Sequence, residues 1–161
     1  ARVVWWCFPR FDGDPVFCAL LDDAPPQEAR GLFAVELDGL AHTRSAYVRN
    51  TAVLSTHLVD RDGGEIEIVD CVPRHHEHGR IHVPHMLVRR VRRVAGRPRI
   101  TIRLRPSRDW GASRPATTAG SHHIRYETHD GALRLTTDAS LTALTEGARC
   151  FFPLTAEATD G

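Results

Sequence analysis

The feature that most constrains the fold is a period-two alternation of apolar and polar residues in short segments. Residues 99–105 show it most clearly, because Ile100, Ile102 and Leu104 alternate there with Arg and Thr. Residues 65–68, 123–127 and 133–136 repeat the pattern. An alternation of this period places the apolar side chains on one face of an extended chain. Each segment is therefore predicted to be a β-strand with one face toward a core.

Turn residues between these segments predict how the strands connect. Asp62-Gly63-Gly64, Gly96-Arg97-Pro98 and Asp130-Gly131 can all adopt the backbone angles of tight turns. Three hairpins are predicted, pairing residues 52–60 with 64–72, 86–95 with 98–105, and 122–128 with 132–138. A further strand is predicted at 148–154.

Two segments carry helix signals. Val88, Val91 and Val94 are spaced as on a helix face, but the β-branched content and the turn that follows favour a strand at 86–95. A short helix is predicted at 15–21, with Asp14 as its cap and Pro15 at its first position. Short strands, Gly and Pro turns and at most one or two short helices indicate an all-β, antiparallel β-sandwich.

Charge and hydropathy exclude several classes of partner. The 21 basic residues, all of them Arg, nearly balance 20 acidic ones and leave a formal charge of +1. Such a balance predicts no nucleic-acid partner and no membrane surface. No 18-residue apolar run occurs in the sequence, and its opening residues lack the apolar core and cleavage site typical of a signal peptide, so a cytoplasmic location is expected. It begins inside an apolar strand-like segment, so we expect the true amino terminus to lie farther upstream.

Three stretches together resemble one family. Residues 5–21 read WWCFPRFDGDPVFCALL, residues 69–74 read VDCVPR, and residues 85–111 read HMLVRRVRRVAGRPRITIRLRPSRDWG. In order and spacing they resemble the trehalase-like N-terminal domain of bacterial family 15 glycoside hydrolases, of the glucoamylase and trehalase type. The resemblance covers about residues 3–155.

The resemblance implies a non-catalytic β-sandwich, or supersandwich, followed in the parent enzyme by a linker and an (α/α)6 barrel. Two barrel glutamates would hydrolyse α-glucosidic bonds of trehalose or malto- and isomalto-oligosaccharides with inversion. No residue of this chain matches those barrel motifs, so no catalytic residue, metal or cofactor is assigned to it. Residues 1–161 are therefore expected to form one N-terminal domain, truncated at both ends, whose partner is the barrel of the same polypeptide.

Two loops supply the candidate residues for contact with the barrel or the rim of its active site. Each combines an Arg, an Asp and an aromatic residue beside a turn; the candidates are Trp5, Trp6, Arg10, Asp12, Arg108, Asp109 and Trp110. Loops 10–14 and 108–111 are expected to lie on the same side of the sandwich and to face the barrel. Structural readings stay open: a tryptophan in the core, an Arg10–Asp12 pair that holds its loop, and a plain surface turn at 105–111. Adjacent tryptophans on a strand face opposite ways, so at least one should point away from the core.

Two further groups carry competing hypotheses. A His-rich segment follows Cys71 and contains no HExxH pattern, so an exposed loop is expected and a metal-binding β domain is the alternative; its members are His75, His76, Glu77, His78, His82 and His85. Five acidic residues, Asp60, Asp62, Glu65, Glu67 and Asp70, belong to a turn and its strands, where independent catalysis is not expected. A free-standing carbohydrate-binding sandwich, with Trp5, Trp6 or Trp110 as a stacking platform, is the other alternative.

Overall fold

The computed structural model describes residues 1–25, 28–138, 141, 149–150 and 154–160. In chain order its strands are β1 (Arg2–Val3), β2 (Trp6–Cys7), β3 (Pro15–Phe17), β4 (Leu32–Leu37), β5 (Leu40–Tyr47), β6 (Leu54–Asp60), β7 (Glu65–Cys71), β8 (His75–Glu77), β9 (Arg80–His82), β10 (Leu87–Ala95), β11 (Ile100–Arg105), β12 (Thr117–Ala119), β13 (His123–Glu127), β14 (Ala132–Thr137), β15 (Arg149–Cys150) and β16 (Leu154–Asp160). A 3-10 turn at Ala19–Leu21 interrupts them. Within the described residues, no helix is long and apolar enough to cross a membrane.

The strands form two main antiparallel sheets and two short hairpins. The small sheet has the order β1-β4-β11-β15, and the large sheet has the order β12-β13-β14-β16-β10-β7-β6-β5. Strands β2 and β3 pair separately, as do β8 and β9. The predicted all-β, antiparallel fold is confirmed.

One hydrophobic core lies between the two sheets. Phe33 and Val35 of β4 and Ile102 of β11 point into it from the small sheet, while Ile68 and Leu133 do so from the large sheet. These residues occupy alternate positions of their strands, as the period-two pattern predicts. The same core takes in Phe8 and Phe17, so β2 and β3 are packed against the sandwich.

The other face of the small sheet is covered as well. Leu32 and Ala34, which alternate with the core residues of β4, pack against Ala29 and Ala19 in the segment 18–31. Strand β4 is therefore apolar on both faces, as strands buried on two sides are. This double burial removes the alternation from its sequence, which explains why β4 was not predicted.

Two of the chain's crossings between the sheets occur at short turns. Strand β4 is followed by β5 in the large sheet, and β10 of the large sheet is followed by β11 of the small sheet. The two crossings lie together, since the amide of Asp38 donates to the carbonyl of Arg99 at 2.9 Å. The predicted hairpin of 86–95 with 98–105 is thus wrong: both strands exist, but β10 pairs with β7 and β16, while β11 pairs with β4 and β15.

The remaining predictions have mixed outcomes. The hairpins of 52–60 with 64–72 and 122–128 with 132–138 are confirmed as β6–β7 and β13–β14. The predicted helix at 15–21 is wrong, because Pro15–Phe17 is strand β3 and only the 3-10 turn follows. Of the strand predicted at 148–154, Arg149–Cys150 is β15 and Leu154 begins β16, while 148 and 151–153 lie outside the described residues.

Candidate functional site

The two loops singled out in the sequence lie side by side. The carboxylate of Asp14 accepts hydrogen bonds from the backbone amides of Asp109 at 2.7 Å and Trp110 at 2.8 Å. Asp14 therefore caps a loop almost a hundred residues away and not the predicted helix. The expectation that loops 10–14 and 108–111 share one side of the sandwich is confirmed.

The backbone of the second loop is strained and well held. Asp109 and Trp110 have φ angles of 55° and 57°, in the left-handed region that costs about 1–2 kcal/mol for a residue with a side chain. The Asp109 carboxylate accepts a hydrogen bond from the Ser113 hydroxyl at 2.6 Å, and Arg108 and Ser113 exchange backbone hydrogen bonds. These contacts and Asp14 together compensate the strain and hold the backbone at Asp109 and Trp110.

Replacing Asp14 by Ala tests this link. The two amides would lose a charged acceptor, and hydrogen bonds of that kind contribute about 1.5–3 kcal/mol, so we expect a loss of that order in the free energy of unfolding. Urea denaturation measures the loss, and tryptophan fluorescence of the folded state reports the displacement of Trp110. The matched control is Asp12→Ala in the same loop, which should change both readouts much less, because the Arg10–Asp12 pair lies at the surface. Equal effects of the two substitutions would contradict the assigned role of Asp14.

The strained loop presents an exposed aromatic pair. The rings of Trp5 and Trp110 are 6.4 Å apart at an interplanar angle of 51°, and the two residues are 40% and 59% exposed. Trp6 faces the other way and packs on Phe8 and Phe17 at centroid distances of 5.4 and 5.9 Å. The adjacent tryptophans therefore have opposite environments, as predicted. Trp6 is part of the core packing, and its assignment to the surface site is corrected.

Arg10 and Asp12 form a local pair. The guanidinium Nε and one terminal nitrogen of Arg10 each donate to the Asp12 carboxylate at 2.9 Å. This hydrogen bonding lowers the pKa of Asp12 below its usual value. Both side chains are solvent-exposed, so the pair orders the loop at the surface, which is the structural reading weighed for it.

Arg108, the remaining candidate, is only partly exposed. Within the described residues its Nε is buried without a hydrogen-bond partner. An unpaired buried donor normally carries a cost. A ligand or partner group that reached this nitrogen would therefore gain a directed hydrogen bond beside Trp110.

Exposed apolar residues extend the surface around the tryptophan pair. Phe11, in the first loop, is 91% exposed. Leu21 and Trp110 line one groove of about 560 Å³, together with Cys18 and the charged residues Asp22, Glu28 and Arg30. We call Trp5, Phe11, Leu21 and Trp110 the aromatic end of the sandwich. An exposed apolar surface with a polar rim is characteristic of an interaction site.

The His-rich segment is an ordered hairpin and not the expected loop. Strands β8 and β9 pair His75 with His82, whose rings stack at 5.6 Å between centroids. The Glu77 carboxylate lies 3.7 and 4.0 Å from the Nε2 atoms of these two histidines. Over the part of the chain that the structure describes, no group of three His, Cys, Asp or Glu residues is arranged to hold a metal ion.

Four of the five carboxylates considered for independent catalysis are held in structural contacts, and Asp62 takes part through its backbone amide. Asp60 accepts the amides of Asp62 and Gly64 in its own turn, and Asp70 is paired with Arg89. Glu65 contacts His57 and Arg44 at 2.6 and 2.7 Å. The hydrogen bond from Arg92 lowers the pKa of Glu67, whereas a general acid needs a raised pKa.

The candidate site is thus the aromatic end, and Asp14 stabilises the loop that carries Trp110. Sequence reasoning missed Asp14 because its partners are backbone amides of a distant loop. Comparisons of the chain with protein-family models, curated proteins and solved structures find no match.

Proposed function

We propose that this chain is the non-catalytic N-terminal β-sandwich domain of a family 15 glycoside hydrolase. Its role is to support and shape the (α/α)6 barrel that hydrolyses α-glucosidic bonds in trehalose or in malto- and isomalto-oligosaccharides. The three sequence motifs support this assignment, and the antiparallel sandwich architecture is compatible with it. The cytoplasmic location expected from the sequence belongs to the same proposal.

The observation that carries the docking role is the exposed pair of Trp5 and Trp110. Large aromatic side chains that a partner covers commonly supply much of the binding free energy of an interface. They bind more tightly when the loop that carries them is already rigid before the partner binds. Asp14 provides that rigidity by fixing the loop of Trp110. The barrel of the same polypeptide is the partner that the family resemblance implies.

Binding of the separately produced barrel to this chain tests the proposal. We expect Trp110→Ala to weaken the association by at least about tenfold, equivalent to about 1.4 kcal/mol, as measured by isothermal titration calorimetry. Trp5→Ala should act in the same direction because the rings are neighbours. The control is Tyr47→Ala, an exposed aromatic on β5 at the far edge of the large sheet. Unchanged affinity in both tryptophan variants would overturn the docking role.

The alternative of a carbohydrate-binding module uses the same tryptophans and is tested by a separate titration. Maltose, isomaltose and trehalose are titrated into the chain alone while tryptophan fluorescence is followed. Docking to the barrel predicts no saturable change in the absence of the barrel. A saturable change lost in Trp110→Ala would favour a free-standing carbohydrate-binding module.

A further inference from the structure

A second groove adjoins the aromatic end and has a different chemistry. It measures about 630 Å³ and shares Glu28 and Arg30 with the groove beside Trp110. Leu104 and Arg105 at the end of β11 line one side, and Tyr126 of β13 lines the other. Because β11 and β13 belong to different sheets, the groove lies at the mouth between the two layers.

Positive charge is concentrated in this groove. Arg30, Arg105 and Arg114 line it, against a single acidic residue, Glu28. Among the residues that the structure describes, no carboxylate lies within salt-bridge distance of the Arg30 or Arg114 guanidinium. Arg105 donates to the carbonyl of Ala29 at 3.4 Å, which ties it to the segment that also carries Arg30. The lining thus contains three arginines against one carboxylate and has a surplus of positive formal charge.

The floor of the groove is apolar. Leu104, Pro106, Pro115 and Tyr126 are buried. Arg105, beside them in the lining, is partly buried, whereas Arg30 and Arg114 are exposed. Reduced water contact strengthens the attraction between a guanidinium and an anion. Burial also raises the pKa of Tyr126 to about 12, so its phenol stays protonated and neutral at physiological pH.

We infer that this groove binds the phosphate or carboxylate group of a small organic ligand. The planar fork of Arg matches the paired oxygens of both oxyanions. The apolar floor fits a compact carbon skeleton, and the volume lies within the usual range of small-molecule sites, about 300–1,000 Å³. The inference does not depend on the proposed docking role, because the binding can be measured on this chain alone.

Titration of the chain with four probes tests the inference. Glucose 6-phosphate and glucuronate carry the two oxyanions on one skeleton, glucose carries neither, and inorganic phosphate lacks the skeleton. Calorimetry should show saturable binding of glucose 6-phosphate or glucuronate that weakens with added NaCl, and weaker or no binding of glucose. The stronger of the two oxyanion probes identifies the source of the anionic group. Saturable binding of inorganic phosphate, which has no carbon skeleton, would support the role of the arginines.

Matched variants locate the binding. Arg114→Ala should lower the affinity for the oxyanion probe by at least tenfold. Glu28→Gln should raise that affinity, because the substitution removes a negative charge that repels the probe. Arg49→Ala is the control: it removes the same charge from the exposed turn between β5 and β6, at the far edge of the large sheet. Thermal unfolding of each variant confirms that it is folded.

Three results would overturn the inference. The first is the absence of saturable binding of both oxyanion probes up to about 10 mM, well above the millimolar affinities typical of weak ligands. The second is equal affinity for glucose and glucose 6-phosphate. The third is an equal loss in Arg49→Ala and Arg114→Ala, which would assign the binding to general surface charge.

Discussion

Replacing Arg89 by Met should lower the free energy of unfolding by about 3–5 kcal/mol, the usual cost of breaking a buried ion pair. Arg89 is only 1% exposed and donates two hydrogen bonds to Asp70, at 2.7 and 2.8 Å. It also donates to the carbonyl of Phe33 at 3.0 Å, and its guanidinium lies 4.5 Å from the centre of the Phe33 ring. The variant would leave the Asp70 carboxylate and the Phe33 carbonyl without their buried partner.

The effect should be large because Arg89 joins the two layers. Asp70 lies beside it in the large sheet, whereas Phe33 belongs to β4 of the small sheet. A typical domain has only about 5–15 kcal/mol of net stability. The loss of the Arg89 contacts therefore removes a substantial share of the free energy of unfolding.

Urea denaturation of matched variants measures the cost. Arg92→Met on the same strand is the control, since Arg92 also pairs with a carboxylate, Glu67, but is largely exposed. Pairs at the surface contribute about 0–1 kcal/mol. The double variant Arg89→Met with Asp70→Leu should recover much of the loss, because no charge is then left unpaired. A cost for Arg89→Met no greater than that for Arg92→Met would contradict the bridging role.

Replacing Gly31 by Ala is the second substitution with a large expected effect, a loss of about 3 kcal/mol or more from backbone strain and overpacking together. Gly31 has a φ of 64°, and a Cβ there would lie 2.6 Å from the backbone nitrogen of Cys18 and 2.8 Å from its Sγ. The carbonyl of Gly31 also accepts the amides of Cys18 and Ala19 at 2.9 and 3.0 Å. The added methyl group would push the 18–31 segment off the outer face of the small sheet.

Gly39 provides a matched control for this substitution. Its φ of 66° is nearly the same, but nothing lies within 4 Å of a Cβ built there. Gly39→Ala should therefore show the backbone strain alone, about 1–2 kcal/mol. The difference between the two midpoints of urea denaturation isolates the steric clash. Equal costs would show that the Cys18 contact is not tight.

The parts of the fold that follow from the sequence are those whose signals are local. In the hairpins β6–β7 and β13–β14 the alternation, the turn and the pairing partner all lie close together in the sequence. Strand β5 shows the limit of this reasoning, because all eight of its residues are exposed and no apolar alternation marks it.

The sheet crossings could not be inferred from the turns. A Gly-containing turn suits a chain that stays in its sheet and also one that crosses to the facing sheet. What distinguishes the two at 96–99 is the pairing of β11 with β4 and β15, both of which are far away in the sequence.

The candidate site shows the same division between local and distant information. The Arg10–Asp12 pair spans two residues and was weighed from the sequence, whereas Asp14 was assigned to a nearby helix. Its carboxylate does accept backbone amides, as a helix cap would. The amides belong to Asp109 and Trp110, and only the folded sandwich brings them within reach.

The order in which the chain folds is constrained by the small sheet. Each of its pairings joins distant segments: Val3 with Phe33, Leu37 with Ile100, and Ile100 with Cys150. The large sheet, in contrast, contains β5–β6–β7 and β12–β13–β14, which are each connected by short turns. Closing a long loop costs chain entropy before any contact compensates it. We therefore expect the two meanders to form early, and the small sheet, with the loop that carries Trp110, to form only after them.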